Sequence, residues 1–358
     1  MKRILFVTGN LDRGGAQRVL SLLANYYAAE GTETHVAMLL NNTVGYDIHP
    51  QIILHDLSCQ GSYIKNAFRM IRKLKSAVIE IKPEIVVSFA GRVNLITMLA
   101  AKNKGIPILV SERNDPLHDR RNRIERWLCK RSYGKADKVV FQTKYQSKVY
   151  EKTCKKNSVI IGNPIAAPVY EGEHIKKDIV CVGKLMDQKN HPMMIRAFAR
   201  LANEFPDKQV FIYGDGPKHN ELQELINELR MSDRIHLCGN TDKIFDVLHE
   251  YQYFVMCSNY EGMSNALLEA MISGMVCVTT NWNGVEEIVT DGVNGYLIPV
   301  GNEDCLVREL RIVFNSYNER LTREAIESAR QFTPENVIHI WNNTIVELAK
   351  EGKVEVKE

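Results

Sequence analysis

The sequence predicts an α/β protein built from two tandem Rossmann-like domains facing across a cleft. Three observations carry that prediction. Short Val- and Ile-rich runs alternate with amphipathic stretches along the 358-residue chain, the pattern of parallel strands covered on both faces by helices. The alternation pauses at 162–164 and in a loop of Ala, Pro, Gly and charges at 165–177, then restarts. The net charge of +3 also conceals two halves of opposite sign. Residues 1–170 hold 27 Lys and Arg against 13 Asp and Glu, and the remainder holds 19 against 30. A chain of this length is more naturally two cores than one. The expected division is an N-terminal domain at 1–163, a C-terminal domain at 164–333, and a helix and tail at 334–358 packing back on the first domain.

In the first half, the runs 4–8, 34–40, 52–56, 85–89, 106–111, 138–143 and 159–161 read as strands, with helical patterns at 16–30, 64–81, 93–104, 119–133 and 145–153. After the pause, strands are expected at 179–183, 208–213, 235–238, 253–257, 276–280 and 295–299. Helices are expected at 192–203, 218–230, 241–250 and 264–273, with a helical turn at 284–289. Three more helices, at 302–317, 320–330 and 334–350, close the chain. No short-period repeat or low-complexity segment interrupts the pattern.

Composition narrows the function classes. Hydrophobic content of 45% and charged content of 25% are those of an ordinary soluble protein. The eight cysteines are scattered without a Cys-x-x-Cys pair, which fits a reducing compartment and neither a zinc nor a disulfide framework. The opening MKRILFVTGN reads as a first strand, since its apolar run is too short for a signal peptide. No run approaches the roughly 18 apolar residues of a membrane span. The expected location is cytoplasmic. The basic stretches lack interleaved aromatics, so no nucleic-acid partner is expected.

The stretch 253–274, YFVMCSNYEGMSNALLEAMISG, is the centre of the reading. A strand ends near Ser258, Glu261 and Gly262 follow, and a helix opens near Ser264. That helix is apolar nearly all round, as an interior helix is, yet it carries Glu269. A buried carboxylate is expensive without hydrogen-bonding partners, and the stretch holds no Lys or Arg. The partner must come from elsewhere in the fold or from a ligand, and a ligand is the working expectation.

Other loops fall after expected strands. Gly9 to Gly15 precedes the first helix, whose N-terminus suits an anion, although taken alone the glycines read first as a tight βα turn. The spacing is wrong for a dinucleotide fingerprint, and no acid ends the second strand, so NAD is disfavoured. Lys184 and Lys189 flank the loop after the first strand of the second domain, where cations can neutralise a diphosphate or simply be solvated. Gly214-Asp215-Gly216-Pro217 reads as a turn leading into a helix.

Taken in order, G-G at 14–15, G-K-L-x-x-x-K at 183–189, G-D-G-P at 214–217, E-G-x-x-x-x-L-x-E-A-M at 261–271 and G-V-x-E-I-V-x-D-G-x-N-G at 284–295 resemble family 4 of the retaining glycosyltransferases. The resemblance covers nearly the whole chain, and its sharpest element is the pair Glu261 and Glu269. It implies the GT-B fold, a nucleotide-sugar donor (most naturally a UDP-sugar) bound mainly by the second domain, and an acceptor bound by the first. It implies that Glu269 holds the nucleotide ribose, that Glu261 contacts the transferred sugar, and that Lys184 and Lys189 clamp the diphosphate. Lys184 stands where the family usually has Arg, keeping the charge but not the bidentate fork. Gly183, backbone N–H groups at Asn265 and Ala266, Gly14 and Gly15 would complete the donor contacts, with the base near Gly239 and Asn240. Fixed cations and N–H dipoles would stabilise the charge developing on the leaving diphosphate. No cofactor or metal is expected, and the attack would come from the front face.

One segment departs from the family. Many relatives place a sugar-contacting His after the strand at 106–111, where this chain has Ser111-Glu112-Arg113-Asn114-Asp115-Pro116. Glu112, Arg113 and His118 are the acceptor-side candidates. Relatives that build bacterial surface polysaccharides carry a similar Ser-Glu-Arg-Asn segment, which points to a lipid-linked or polysaccharide acceptor of capsule or O-antigen type. Helix 64–81 aligns Ile64, Phe68, Ile71, Leu74, Val78 and Ile81 on one face beside Lys65, Arg69, Arg72, Lys73 and Lys75, and 113–138 holds nine basic residues against four acidic. An ordinary core-packed helix explains that periodicity, but the charge also suits peripheral contact with an anionic membrane at the inner face of the plasma membrane. The alternatives are a non-catalytic nucleotide-sugar- or lipid-binding subunit and an epimerase or phosphorylase of the same fold.

Overall fold

The structure is a computed structural model that describes residues 1–12, 14–59, 63–102, 104–118, 121–154, 157–165, 169, 172 and 174–355. Arg13 of the first loop, residues 119 and 120 of the expected fourth helix, part of the linker at 165–177 and the last three residues of the tail lie outside the described residues. The chain forms two compact units, one of Met1–Pro164 with Glu335–Glu358 and one of Ile165–Pro334.

Unit 1 runs β1 (Arg3–Thr8), α1 (Gly15–Ala29), β2 (Glu33–Met38), β3 (Ile53–Asp56), α2 (Tyr63–Ile81), β4 (Ile85–Phe89), α3 (Gly91–Ala101), β5 (Ile108–Ser111), α4 (Arg123–Tyr133), β6 (Lys138–Phe141), α5 (Lys144–Cys154) and β7 (Ser158–Ile160). The seven strands lie in the order β3-β2-β1-β4-β5-β6-β7, and all their pairings are parallel. Every residue of β4 is buried, because both faces of the sheet are covered. Along β1, Leu5 and Val7 join the cluster under α2, α3 and α4. Ile4 and Phe6 join the opposite cluster under α1, as the two-residue period of a strand requires.

The second face is closed by the end of the chain. After unit 2, the last helix of the protein (Pro334–Glu355) returns Val337, Trp341, Ile345 and Leu348 to the cluster under α1. Their spacing of four, four and three marks one helical stripe. Trp341 is fully buried and stacks on Phe89 at 5.5 Å between ring centres.

Two local expectations change. The fourth helix begins at Arg123, because Asn122 and Glu125 form a reciprocal capping box there. On α2, the inward stripe is Met70, Leu74, Ala77, Val78 and Ile81, whereas Phe68, expected on the apolar face, is 85% exposed. The Ile64 side chain lies outside the described residues.

Unit 2 runs β8 (Lys176–Val182), α6 (His191–Leu201), β9 (Val210–Tyr213), α7 (His219–Glu228), β10 (Ile235–Gly239), α8 (Ile244–Glu250), β11 (Tyr251–Met256), α9 (Asn265–Ile272), β12 (Val276–Thr280), a 3₁₀ turn (Val285–Glu287), β13 (Tyr296–Ile298), α10 (Glu303–Asn315) and α11 (Glu319–Arg330). The final helix of unit 1 is thus α12. Six parallel strands lie in the order β10-β9-β8-β11-β12-β13. Ile179 and Cys181 of β8 pack under α6, α7 and α10, while Val180 packs under α8, α9 and α11.

Because Trp341 joins α12 to the sheet, Trp341→Ala should lower urea-denaturation stability by about 3–5 kcal/mol, and Trp341→Phe by much less. An unchanged midpoint in Trp341→Ala would show that α12 contributes little to unit 1.

Candidate active site

In unit 2 the strand order reverses at β8, which lies between β9 and β11. In open parallel sheets a ligand crevice forms at the carboxyl ends of the strands flanking such a reversal. Two loops meet there, 183–190 after β8 and 257–264 after β11. Asn259 N–H donates to the Gln188 carbonyl at 2.8 Å. The Asn259 amide donates to the Asp187 carbonyl at 2.8 Å, and Gln188 Nε2 donates to the Tyr260 carbonyl at 3.0 Å.

Within this frame Glu261 and Lys189 form an ion pair of 2.7 Å, with side chains only 9% and 15% exposed. Ser258 Oγ donates to the same carboxylate oxygen at 2.8 Å, and Gln188 Nε2 reaches the other at 3.2 Å. The carboxylate is thereby fixed from three sides. In such a partly dry setting, removing one member strands the other's charge, at far greater cost than for a surface pair. The ammonium has three N–H donors, and Glu261 takes one.

Two glycines make the arrangement possible. A Cβ on Gly183, whose φ is +158°, would sit 2.9 Å from Lys189 Cε, in the path of that side chain. A Cβ on Gly214, with φ of +141°, would sit 2.1 Å from the Gly183 carbonyl oxygen. The G-D-G-P turn therefore lies directly on the G-K-L loop, and Leu185 N–H donates to the Asp215 carbonyl at 3.1 Å. Gly214 N–H in turn donates to the Gly239 carbonyl at 2.8 Å, tying in the loop after β10 with the exposed Asn240. Sequence motifs 25 residues apart or more are one packed surface.

The helix α9 opens on this surface. Ser264 caps it, accepting from Leu267 N–H at 3.3 Å, so the N–H groups of Asn265 and Ala266, both half-buried, belong to the turn that a helix leaves unbonded within itself. Leu267, Leu268, Ala270, Met271 and Ile272 are buried against the sheet. Glu269 is 5% exposed. It does have an interaction within the protein, so its burial alone does not call for a ligand. Lys184, by contrast, is exposed.

The structure therefore brings together Lys189, Glu261 and Gly183, and joins the Gly239 loop to them through Gly214. Gln188 and Ser258 were not singled out in the sequence, yet both hold Glu261. A Gln beside a Lys in a loop carries no periodic signal, and only its position one residue before Lys189 pointed to it. No group of three or more His, Cys, Asp and Glu placed to hold a metal ion occurs among the described residues.

In unit 1, Gly14 caps α1 with extended backbone, and Gly15 is its first residue. The acceptor-side candidates separate clearly. Glu112 is fully buried, and its carboxylate meets Arg121 Nη2 at 2.8 Å, the Tyr133 hydroxyl at 2.8 Å and the N–H groups of Arg113 and Asn114. It organises the loop from inside and has no face left for an acceptor. Gly91 leaves the room for Arg121, since a Cβ there would lie 2.0 Å from Nη1. His118 is half-exposed and sits 3.1 Å from Asp115. Arg113 is 6% exposed, with its guanidinium over the rings of Phe89 and Trp341.

His191, at the start of α6, is buried. Burial and then the Lys189 charge lower its pKa to about 4. The unfolded chain takes that proton below about pH 6.5 and the folded chain only below about pH 4. This part of the stability is present above pH 6.5 and lost as pH falls to 4, by up to about 1.4 kcal/mol per pH unit. Denaturation midpoints between pH 7 and 4 should therefore fall less steeply in His191→Met, and equal slopes would place His191 in a solvated site.

The chain resembles known proteins along most of its length. A family described as Glycosyltransferase Family 4 matches residues 13–167, and one described as Glycosyl transferases group 1 matches residues 176–316. Among curated proteins, the chain is 23% identical over 97% of its length to the GalNAc-alpha-(1->4)-GalNAc-alpha-(1->3)-diNAcBac-PP-undecaprenol alpha-1,4-N-acetyl-D-galactosaminyltransferase of Campylobacter jejuni, covering 99% of that protein. It is 27% identical over 87% of its length to the N-acetylgalactosamine-N,N'-diacetylbacillosaminyl-diphospho-undecaprenol 4-alpha-N-acetylgalactosaminyltransferase of the same organism, covering 90% of it. Among solved structures, Anabaena Alr3699/HepE in complex with UDP superposes with a TM-score of 0.80 at 16% identity, over 97% of this chain and all of that one. These structural neighbours are of the GT-B type. With its two halves matched in order and the fold in agreement, the chain belongs to the glycosyltransferases of family 4 and group 1.

Proposed function

We propose that this glycosyltransferase is a retaining enzyme that moves a hexose or N-acetylhexosamine from a UDP-sugar to a lipid-linked or polysaccharide acceptor in cell-surface glycan synthesis. The observation that carries the reading is the Lys189–Glu261 pair at the strand reversal of unit 2. It supplies a fixed cation for a diphosphate and a fixed carboxylate for sugar hydroxyls a few ångströms apart. The names of the Campylobacter relatives, which act on undecaprenol-linked sugars, support the acceptor class. The UDP in the HepE complex supports the nucleotide.

In this reading Glu269 holds the ribose and the donors left on Lys189 meet the diphosphate, with Lys184 adding charge from the rim. The first-turn amides at Asn265 and Ala266 face the same leaving group. Breaking the anomeric bond places negative charge on that diphosphate. Preorganised donors stabilise the charge as it develops, without a metal or cofactor. Glu261 has both oxygens fixed, so it selects a sugar by the hydroxyl that fits its remaining lone pairs.

UDP release from a panel of UDP-sugars with lipid-linked acceptors tests the reading directly. Glu269→Ala and Lys189→Ala should each lower kcat/KM by about 100-fold or more while staying folded, and EDTA should leave the wild-type rate unchanged. Wild-type rates in both variants would remove these residues from the site.

Peripheral membrane contact belongs to the same proposal. Phe68 on α2 is 85% exposed, and Ile124 and Trp127 on α4 are 71% and 59% exposed, all among the basic residues that suit an anionic interface. In sedimentation with phosphatidylglycerol vesicles, Phe68→Ala with Trp127→Ala should weaken binding several-fold, and salt should weaken it further. Equal binding by wild type and the double variant would exclude this face.

A further inference from the structure

Glu112 and Arg113 are adjacent, oppositely charged and both buried, and the Glu112 charge acts on Arg113 only at a distance, with no direct pair between the two side chains. Glu112 spends its charge on Arg121 at 2.8 Å. Arg113 lies with its guanidinium carbon 5.4 Å from the Phe89 ring centre and 5.9 Å from that of Trp341. Its Nε, Nη1 and Nη2 are all buried and have no hydrogen-bond partner among the described residues. Aromatic faces attract a guanidinium but cannot accept its in-plane N–H groups. The desolvation of a charge so placed is not repaid by the protein alone. Burial pulls its pKa well below the ordinary arginine range, down to about 9, and the nearby Glu112 charge offsets only part of that.

The position of Arg113 is also that of a ligand group. It follows β5, whose neighbour β4 flanks the strand reversal of unit 1 at β1 and β4. At the end of β4, Ala90 holds a φ of +77°, a strained conformation for a residue with a side chain and one that gathers at functional sites.

We propose that Arg113 is an anion-recognition residue of unit 1, and that it takes a phosphate-type oxyanion at the edge of its guanidinium. Phosphate matches the planar fork bidentately. The excess of basic residues in this half of the chain favours a multiply charged ligand. The oxyanion chemistry stands on this geometry. Naming its source as the diphosphate of a lipid-linked acceptor rests on the glycosyltransferase reading above.

The test is calorimetric titration of the full chain, saturated with UDP, with inorganic pyrophosphate, geranyl diphosphate and geraniol. Wild type should bind one further equivalent of either diphosphate and none of geraniol. Tighter binding of geranyl diphosphate identifies a lipid-linked source, and equal binding identifies the free anion. Arg113→Gln should weaken the added equivalent at least tenfold, and Arg113→Lys less. Melting provides a second readout. Arg113→Met removes a buried unpaired charge, so without anion it should melt at or above the wild-type temperature, and pyrophosphate should no longer raise it. In UDP-saturated wild type the rise should be about 3 °C or more. An added equivalent undiminished in Arg113→Gln, none in wild type, or a melting temperature several degrees lower in Arg113→Met would each overturn the assignment. If UDP itself does not bind, the donor reading fails, and the pyrophosphate titration still decides Arg113.

Discussion

The ion pair between Lys189 and Glu261 is the constraint on which unit 2 is arranged. It forms only if β8 and β11 are neighbours, which the reversed strand order provides. It also needs Gly183 to have no side chain, so that the lysine stem can pass. Gly183 in turn fixes Gly214, whose Cβ would collide with its carbonyl, and Gly214 binds the Gly239 loop. Four loops are therefore tied to one another. A carboxylate and a cation held this way lose little on meeting a polar ligand, since their ordering has already been achieved in folding.

Unit 1 treats buried charge in two contrasting ways. Glu112 is paired with Arg121 and Tyr133, and burial together with the Glu112 charge keeps the Tyr133 hydroxyl protonated, far above its ordinary range. That network pins the loop after β5. Arg113, the next residue of the same loop, has aromatic faces and no acceptor among the described residues. The contrast assigns organisation to Glu112 and leaves recognition to Arg113. His118, half-exposed beside Asp115, is placed in neither role by its contacts.

Much of the fold was legible because burial on both faces of a parallel sheet leaves apolar runs that periodicity detects. Even α12, far from the rest of unit 1 in sequence, was expected as a helix at 334–350. The misreading of Phe68 has a clear cause: on a helix, spacing by three and four residues fits two adjacent stripes, and only packing chooses Met70 and Ala77 over Phe68. The pairing of Lys189 with Glu261 joins residues 72 apart, and the motif order hinted at it without specifying it. Glu112 and Arg113 were indistinguishable in the sequence, because the difference lies in Arg121, Tyr133 and the space left by Gly91. Glu269 shows the opposite limit, since it has an interaction within the protein that the apolar pattern of its helix did not reveal.

A crystal structure of the protein soaked with UDP tests the central claim most directly. The diphosphate should lie within hydrogen-bond distance of Lys189 Nζ and the ribose hydroxyls on Glu269, with the Lys189–Glu261 pair kept near 2.7 Å. UDP bound away from the reversal between β8 and β11, or a Glu261 released from Lys189 to meet it, would contradict the account.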